Sequence, residues 1–327
     1  MLWKNEKSKQ VGTIKEQGFG KKKGESMKNL TPRKKFRELL SGPRFIMALS
    51  IWDPFTARVA ESLGIECVHL GGYQLGIHYM TSEPLMTLTE VTNSSRYITS
   101  AVRIPLVVDA GAGFGEPLHV MRTVRELERA GVAALHIEDE VEPKRAHYHK
   151  GIERIVSGQE MVDKIKAAVA ARTDPDLVII ARTDAMRTHS FAEGVERGNL
   201  YLEAGAEMVM AFPNTLEEAR RAPREIKGPL CYVNSEGNAF GRPVFSIKQF
   251  EDMGYKLCTN VTSLICPMMQ EMKRVVTNLM TTGESGLPAD RMTLWKKEIE
   301  NLLGLEEYYK IESDTVEHGA SREKKRK

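Results

Sequence analysis

The segment Leu106-Val-Val-Asp-Ala-Gly-Ala-Gly-Phe-Gly-Glu116 decides the fold class. Its apolar beginning has the composition of a buried parallel strand, and this strand ends at Asp109 in a loop of small residues. A helical pattern starts at Pro117, with apolar residues three apart and Gly131 as its stop. An acidic residue at the C-terminal end of such a strand lies where α/β enzymes place their active sites. Taken alone, Asp109 could equally cap the following turn.

Strand-like and helix-like segments alternate along the chain from residue 45 to residue 261. This alternation predicts parallel strands joined by right-handed crossovers. Eight strands within about 220 residues fit a single (β/α)₈ TIM barrel better than a doubly wound sheet. The predicted strands are residues 45–49, 67–70, 106–109, 134–138, 177–182, 208–212, 230–234 and 256–261. The predicted helices between them are residues 55–63, 89–102, 118–130, 159–171, 192–204, 216–221 and 247–253.

The chain divides into four predicted parts. Residues 1–27 are predicted as a disordered basic extension, 28–265 as the catalytic barrel, 266–308 as C-terminal helices and 309–327 as a charged tail. No linker rich in Pro, Gly or Ser interrupts the barrel region, which favours one domain. Amphipathic patterns at 267–280 and 291–303 exceed what a barrel needs. These helices are expected to pack on the barrel or on a partner subunit.

Charge is spread unevenly, although the net charge of the 327-residue chain is only +3. Residues 1–35 carry 11 Lys and Arg against 3 acidic residues, and residues 310–327 carry 6 against 4. The part between them is therefore about −7, which argues against nucleic acid as a partner of the folded region. No apolar run reaches the roughly 20 residues of a membrane span, so no membrane partner is expected. The four cysteines form no CxxC pair, which is typical of a reduced cytoplasmic protein.

Polar residues lie at the C-terminal ends of the predicted strands. In a barrel of parallel strands, all of these C-terminal ends meet at one mouth. Two carboxylates there, Asp109 and Glu138, repel each other unless a cation joins them, and oxygen ligands suit Mg²⁺ or Mn²⁺. Arg182 could hold a substrate carboxylate in a bidentate pair, although a buried arginine is more often an ion-pair partner. The other predicted substrate-binding residues are Asp53, Gly71, Gly72, Tyr73, Asn234 and Glu236.

Several motifs, taken in order, resemble the isocitrate lyase/phosphoenolpyruvate mutase superfamily over residues 29–265. The motifs are Val108-Asp-Ala-Gly-Ala-Gly-Phe-Gly115, His136-Ile-Glu-Asp139, Pro143-Lys-Arg145, Ala181-Arg-Thr-Asp-Ala185, and Ala57-Arg58 with Gly71-Gly72. The resemblance implies a barrel whose C-terminal helix is swapped between subunits, in a homotetramer built as a dimer of swapped dimers. It also implies Mg²⁺ near Asp109 and Glu138, and substrates that are small 2-oxo or 2-hydroxy acids.

A mobile lid that begins at Lys144 is also implied by the resemblance, with Lys144 and Arg145 at catalytic positions. The lyase branch has a proton-donating Cys in this lid, where the present chain has Ala146. His147 and His149 are predicted to replace that thiol, because imidazole can donate or accept a proton near neutral pH. The alternative is that both are solvated loop histidines.

Three further departures from the superfamily pattern concern the site. Gly111 stands where a second metal-associated acid is usual, and Trp52 stands where a Tyr is common after the first strand. Asn238 stands where the late loop usually carries an acid. These changes remove groups that a retro-aldol cleavage needs. They therefore favour simple decarboxylation over retro-aldol cleavage as the reaction.

Three functions therefore remain open. The first is a Mg²⁺-dependent carbon–carbon lyase or decarboxylase that acts on a small 2-hydroxy or 2-oxo acid through a metal-stabilised enolate. The second is the P–C chemistry of a phosphoenolpyruvate mutase or phosphonopyruvate hydrolase. The third is a barrel that binds a small acid without turnover.

Overall fold

The computed structural model describes residues 30–150, 154–238 and 240–317 of the 327-residue chain. The predicted basic extension over residues 1–27 lies outside the described residues, and so does the predicted charged tail beyond residue 317. Within the described ranges, no helix is long and apolar enough to cross a membrane.

Eight parallel strands form a closed barrel in which each strand pairs with the next and the eighth pairs with the first. The (β/α)₈ barrel prediction is thereby confirmed. Four strands have the predicted bounds, and the others differ by one or two residues at an end. The strands are β1 (Ile46–Ile51), β2 (Cys67–Leu70), β3 (Leu106–Asp109), β4 (Ala134–Glu138), β5 (Val178–Arg182), β6 (Met208–Ala211), β7 (Leu230–Asn234) and β8 (Leu257–Asn260).

Every predicted helix is present, and the structure adds four that the sequence patterns did not predict. The predicted helices are α2 (Pro54–Ser62), α4 (Leu88–Ala101), α5 (Pro117–Arg129), α6 (Gly158–Ala171), α8 (Phe191–Glu203), α9 (Leu216–Glu225), α10 (Ile247–Met253), α11 (Ile265–Thr282) and α12 (Ala289–Leu303). The added helices are α1 (Pro32–Ser41), α3 (Gly72–His78), α7 (Ala185–Thr188) and α13 (Leu305–Glu312). Short 3₁₀ turns occur at Glu83–Leu85 and Ala146–Lys150.

Helix α9 continues through Pro223 to Glu225, whereas the predicted helix stops at residue 221. Proline lacks the N–H that would bond to the carbonyl of Ala219 one turn earlier. The hydroxyl of Tyr255 donates a hydrogen bond to that carbonyl at 2.9 Å. A tertiary contact therefore satisfies the oxygen that the proline leaves free, so the helix does not end there.

Buried side chains fix the barrel and aim its polar residues at one end. All five residues of β4 and all five of β5 are buried, as expected when helices cover the outside of a parallel sheet. The apolar members fill the barrel interior and the layer beneath the helices. Glu138 and Arg182, the last residues of β4 and β5, pair in register. The sheet therefore holds the carboxylate of Glu138 and the guanidinium of Arg182 side by side at the C-terminal mouth.

The C-terminal helices contrast with the barrel, because their apolar side chains are largely exposed. Only Ile265 is buried in α11, and no residue of α12 is buried. Helix α12 contacts the barrel where Arg58 of α2 donates a hydrogen bond to the carbonyl oxygen of Leu302 at 3.3 Å. The exposed apolar residues of α11 are Met268, Met269, Met272, Val276, Leu279 and Met280.

Candidate active site

A cavity of about 290 Å³ opens at the mouth where the strands end. Residues that follow β2, β3, β5 and β7 line it, together with side chains of the 3₁₀ turn Ala146–Lys150. Its volume lies near the lower end of the roughly 300–1,000 Å³ range of ligand pockets, which favours a small ligand.

Asp109 presents its carboxylate to this cavity and is held from two sides by backbone N–H groups. The N–H of Gly111 donates to Oδ1 at 2.9 Å, and the N–H of Gly72 donates to Oδ2 at 3.3 Å. Gly111 has φ of 52°, a conformation that favours glycine. Gly72 must also lack a side chain, because a Cβ there would lie 2.4 Å from Cγ of Glu83. Small residues therefore place both Asp109 and Glu83 on the same cavity wall.

Glu138 is fully buried behind that wall, between two cations. Its Oε2 lies 2.7 Å from Nη1 of Arg182, and its Oε1 accepts a hydrogen bond from Nζ of Lys144 at 2.8 Å. Burial alone would raise the pKa of Glu138, but the charges of Arg182 and Lys144 outweigh burial and lower it. Glu138 is therefore ionised and firmly fixed.

Lys144 enters the acidic cluster from the lid and anchors it. Its ammonium lies 2.5 Å from Oε1 of Glu83 and 2.8 Å from Oε2 of Glu140, in addition to its contact with Glu138. It also lies 4.0 Å from the ring centroid of Tyr148. Burial favours the neutral amine, but Glu138 and Glu83 outweigh burial and raise the pKa of Lys144 well above its ordinary value. Lys144 is therefore held as a cation in this cluster.

The basic side of the cavity is an arginine cluster around the ring of Phe212. The guanidinium carbons of Arg182, Arg187 and Arg242 lie 4.9, 4.1 and 5.0 Å from its ring centroid. Asp184 pairs with Arg182 at 3.2 Å and with Arg187 at 2.5 Å. This wall can neutralise an anionic ligand.

Within the part of the chain that the structure describes, carboxylates outnumber cations in the connected ion-pair network. Lys144, Arg182 and Arg187 pair there with five acids, which are Glu83, Asp109, Glu138, Glu140 and Asp184. Burial, followed by the charge of Glu138, raises the pKa of Glu140 to about 9. Carboxylate oxygens of Glu138, Glu140 and Asp184 lie within 4.8 Å of one another. This buried acidic cluster could bind a metal ion, because carboxylate oxygens are the ligands that a divalent cation such as Mg²⁺ prefers.

A buried chain of polar groups leads from β1 to Asp109. Oγ of Ser50 lies 3.0 Å from Nδ1 of His69, and Nε2 of His69 lies 3.0 Å from Nε2 of His136. Nδ1 of His136 faces Oδ1 of Asp109 at 3.6 Å. Burial is the main cause that lowers the pKa of both histidines to about 3, so both rings are neutral at pH 7. Protons on Nε2 of His69 and on Nδ1 of His136 would direct each N–H towards Asp109, and Nδ1 of His136 has no hydrogen-bond partner among the described residues.

The structure brings some of the predicted site residues to the cavity and places others away from it. The predicted residues that line the cavity are Gly71, Gly72, Tyr73, Asp109, His149 and Arg182. Glu138 and Lys144 lie directly behind this lining. The predicted residues outside the lining are Asp53, Arg145, His147, Asn234 and Glu236.

Two of these outer residues have visible structural partners. The carboxylate of Asp53 accepts a hydrogen bond from the N–H of Thr56 and caps α2. The amide of Asn234 exchanges two hydrogen bonds with the backbone of Phe245, both at 3.1 Å. Both lid histidines are exposed, but only His149 lines the cavity, where Nε2 lies 2.9 Å from Oγ of Ser82.

Sequence reasoning missed several residues of the cavity. Tyr148 donates a hydrogen bond from its hydroxyl to Oε2 of Glu83 at 2.9 Å, and both line the cavity. They lie in loops that carry no motif. His69 and His136 carried a weak signal, because each is a polar residue inside an otherwise apolar strand.

Similarity to known proteins extends over most of the chain. The family model for phosphoenolpyruvate phosphomutase matches residues 36–280. The chain is 38% identical to 2-methylisocitrate lyase of Aeropyrum pernix over 283 residues, which are 85% of this chain and 89% of that protein. It is 37% identical to 2,3-dimethylmalate lyase of Eubacterium barkeri over 282 residues, covering 85% and 96% of the two chains.

The fold is also similar to that of solved structures. A structure of oxaloacetate acetylhydrolase with 3,3-difluorooxalacetate has a TM-score of 0.80 and 25% identity, covering 88% of this chain and 97% of that one. A structure of phosphonopyruvate hydrolase in complex with oxalate and Mg²⁺ has a TM-score of 0.77 and 26% identity, covering 88% and 100%.

Proposed function

Because this chain belongs to the phosphoenolpyruvate mutase/isocitrate lyase superfamily, we propose that it is a divalent-cation-dependent carbon–carbon lyase. Its proposed substrate is a small 2-hydroxy or 2-oxo carboxylic acid. The observation that carries this proposal is the network at the barrel mouth in which, among the described residues, five acids pair with three cations. The similarity to 2-methylisocitrate lyase and 2,3-dimethylmalate lyase supports the same reaction class.

Asp109 and Glu83 are the acids that we assign to the cation, because both line the cavity. Glu138, directly behind them, adds negative charge and fixes Arg182. A divalent cation, Mg²⁺ or Mn²⁺, would supply Lewis-acid stabilisation for negative charge that develops on the 2-oxo oxygen. Asp109 and Glu138 were both predicted from the sequence as metal ligands. In this proposal Asp109 binds the cation directly, and Glu138 supports the site from behind.

Lys144 and Tyr148 hold the lid over the reacting end of the substrate. Lys144 ties the lid to three buried acids, and Tyr148 donates its hydrogen bond to Glu83. A docked lid excludes water from a basic carbon centre, which limits side reactions. We assign Arg145 and His147 to the exposed face of this lid, away from the reacting atoms.

The proton that completes the product comes, in our proposal, from the lid. Tyr148 and His149 are the groups of the lid that line the cavity and can carry a proton. Decarboxylation needs only this donor, whereas retro-aldol cleavage also needs a group that removes the proton of the 2-hydroxyl. The nature of the products therefore distinguishes the two branches of the lyase proposal.

A substrate panel tests the proposal. The purified chain is incubated with 2-methylisocitrate, 2,3-dimethylmalate and oxaloacetate, with Mg²⁺ or with excess EDTA, and the products are identified by NMR. We expect cleavage of at least one acid that depends on the metal. Metal-independent cleavage, or binding of these acids without turnover, would contradict the proposal, and the second result would favour a binding barrel.

P–C chemistry is the second candidate, and the arginine cluster around Phe212 favours it. Three guanidinium groups beside one cavity would suit a phosphonate as well as a carboxylate. The similarity to phosphonopyruvate hydrolase points the same way. Phosphonopyruvate is therefore added to the panel, and release of phosphate or formation of phosphoenolpyruvate would establish this candidate in place of the first.

We also propose that the protein acts as a homo-oligomer in the cytoplasm. The exposed apolar face of α11 supports the oligomer, because a face of this kind is normally covered. Cys67, Cys231 and Cys258 are buried free thiols, which supports a reducing compartment.

A further inference from the structure

Arg242 is a buried cation to which the proposed lyase reaction assigns no individual role. It follows β7, lines the cavity and is only 5% exposed. Its guanidinium carbon lies 5.0 Å from the ring centroid of Phe212 and 5.8 Å from that of Tyr232. Two aromatic rings therefore hold the guanidinium in place at the cavity.

Among the residues that the structure describes, Arg242 forms no ion pair with an acid, whereas Arg182 pairs with Glu138 and Asp184. Its hydrogen-bonding neighbours are neutral groups, namely the side chain of Tyr232 and the carbonyl oxygen of Val233, to which Nη1 donates a long hydrogen bond at 3.4 Å. Its Nε is buried and has no hydrogen-bond partner in the described chain. Burial lowers the pKa of Arg242 to about 10, so the group is still charged at neutral pH. A buried guanidinium with unused donors is costly unless a ligand supplies an anion.

The loop that carries Arg242 is held by Asn238, which explains why an amide stands at that position. Oδ1 of Asn238 accepts a hydrogen bond from the N–H of Arg242 at 2.9 Å. Nδ2 of Asn238 donates to the carbonyl oxygens of Ser235 at 2.9 Å and Arg242 at 3.0 Å. An ionised carboxylate could accept the first bond but could not donate the other two. Asn238, which replaces the acid usual in the superfamily, therefore helps to hold the loop that positions Arg242.

The barrel sets Arg242 across the mouth from the acidic wall. Asp109 ends β3 and Arg242 follows β7, and these strands are four apart in a closed ring of eight. A ligand in the cavity thus meets carboxylates at one end and an unpaired cation at the other. This polarity suits a molecule whose reacting end binds a cation and whose far end is anionic.

We propose that Arg242 is the receptor for a second carboxylate of the substrate, distant from the reacting 2-oxo or 2-hydroxy group. This inference rests on the proposed function for the identity of the reacting end. It makes Arg242 a specificity-determining residue, which selects dicarboxylates and larger polycarboxylates over monocarboxylates of the same length.

The test compares the binding of succinate and butyrate, which differ by one terminal carboxylate, in Mg²⁺-containing buffer of fixed ionic strength. Isothermal titration calorimetry is carried out on the wild-type chain and on Arg242→Gln, Arg242→Lys and Arg221→Gln. Arg221 is the matched control, because it also stacks on an aromatic ring but lies on the exposed face of α9. Thermal unfolding verifies that each variant is folded.

We expect the wild-type chain and Arg221→Gln to bind succinate at least about tenfold more tightly than butyrate. Arg242→Gln should abolish this preference. Arg242→Lys keeps the positive charge but lacks the paired N–H donors of the guanidinium, so it should retain part of the preference. A wild-type chain without preference, or an Arg242→Gln variant that retains it, would overturn the proposal. If Arg242→Gln fails to fold, loss of preference in folded Arg242→Lys supports the proposal and a full preference overturns it. Because the assay measures binding, it distinguishes a failure of this inference from a failure of the lyase proposal.

Discussion

Asp109 is the residue on which the proposed chemistry depends most, and its neighbours explain how its carboxylate is held at the cavity. Two backbone N–H groups and a neutral histidine face its carboxylate. These contacts fix the carboxylate at the cavity without neutralising its charge. The usual second acid of the superfamily is replaced by Gly111, whose N–H supplies one of the contacts.

The first prediction is that Asp109→Asn lowers kcat/KM in Mg²⁺ by about 100-fold or more, because the charge that faces the cation is lost. The melting temperature should change by no more than a few degrees, since the shape of the side chain is kept. Glu116→Gln, which alters a nearby acid outside the cavity lining, is the control. Unfolding of Asp109→Asn, or activity equal to that of the control, would count against the role of Asp109.

The second prediction concerns His136 as a positioning residue for Asp109. His136→Asn should raise the Mg²⁺ concentration needed for half-maximal activity about tenfold, because supporting partners of ligands typically contribute this much. The activity at saturating Mg²⁺ should fall less. His119→Asn, on the exposed face of α5, should leave the Mg²⁺ dependence unchanged. An unaltered Mg²⁺ requirement in His136→Asn would remove His136 from this role.

Single residues were predictable where they lie on strands. Asp109, Glu138 and Arg182 end three strands, so recognition of the strands fixed their position at the mouth. Glu83 and Arg242 could not be placed in the same way, because the paths of their loops depend on tertiary contacts. Each loop has its own local support, such as the amide of Asn238.

At the scale of elements, the lid is the segment in which sequence and structure differ most. The sequence pattern offered both His147 and His149 as replacements for the missing thiol, whereas the lid residues that line the cavity are Tyr148 and His149. The difference arises because Ala146–Lys150 forms a 3₁₀ turn that Lys144 anchors. The direction of each side chain follows from that turn, and the sequence did not predict it.

The third prediction separates these lid residues. Tyr148→Phe should lower kcat by about 100-fold, within the range for a lost proton donor, and should change KM much less. His147→Ala, which alters an exposed residue of the same turn, should change kcat less than about threefold. The rate of solvent deuterium incorporation into the product is the measurement. A larger effect in His147→Ala than in Tyr148→Phe would return the donor role to His147.

The fourth prediction concerns the N-terminal end of the barrel, where Glu207 joins three elements. It pairs with Arg37 of α1 and with Arg172, which follows α6. Burial would raise the pKa of Glu207, but hydrogen bonds from both arginines outweigh burial and lower it. The carboxylate therefore stabilises the fold above the ordinary Glu pKa, and this stabilisation is lost as the pH falls through the lowered value.

Glu207→Gln should accordingly reduce the free energy of unfolding by about 1–3 kcal/mol at pH 7. The difference from the wild type should shrink as the pH falls below about 4. Urea unfolding at both pH values is the measurement, and Glu203→Gln, at an exposed position of α8, is the control. A difference that grows on acidification would contradict the direction of the pKa shift.

For the whole molecule, the alternation of strand and helix patterns was sufficient to predict the barrel. Each strand is short and apolar, and each is followed by a helix with one apolar face. The prediction did not extend to what covers the C-terminal helices. Their apolar side chains are largely exposed in the described chain, and nothing in the sequence says what covers them.

The fifth prediction is that another copy of the protein covers the apolar face of α11. Met268, Met272, Val276 and Leu279 form one exposed stripe along α11. Met272→Glu combined with Leu279→Glu should convert the oligomer into monomers in size-exclusion chromatography with light scattering. Gln270→Glu, which adds a single charge elsewhere on the same helix, should leave the oligomer intact. A monomeric wild-type chain would contradict the prediction.

In the proposed site, side chains from distant parts of the chain meet around one divalent cation at the barrel mouth. Anomalous diffraction from a crystal grown with Mn²⁺ and oxalate locates such a cation. We expect a single strong Mn²⁺ peak in the cavity, within ligand distance of a carboxylate oxygen of Asp109. A cavity without such a peak, or Mn²⁺ bound only at surface acids, would contradict the proposed site.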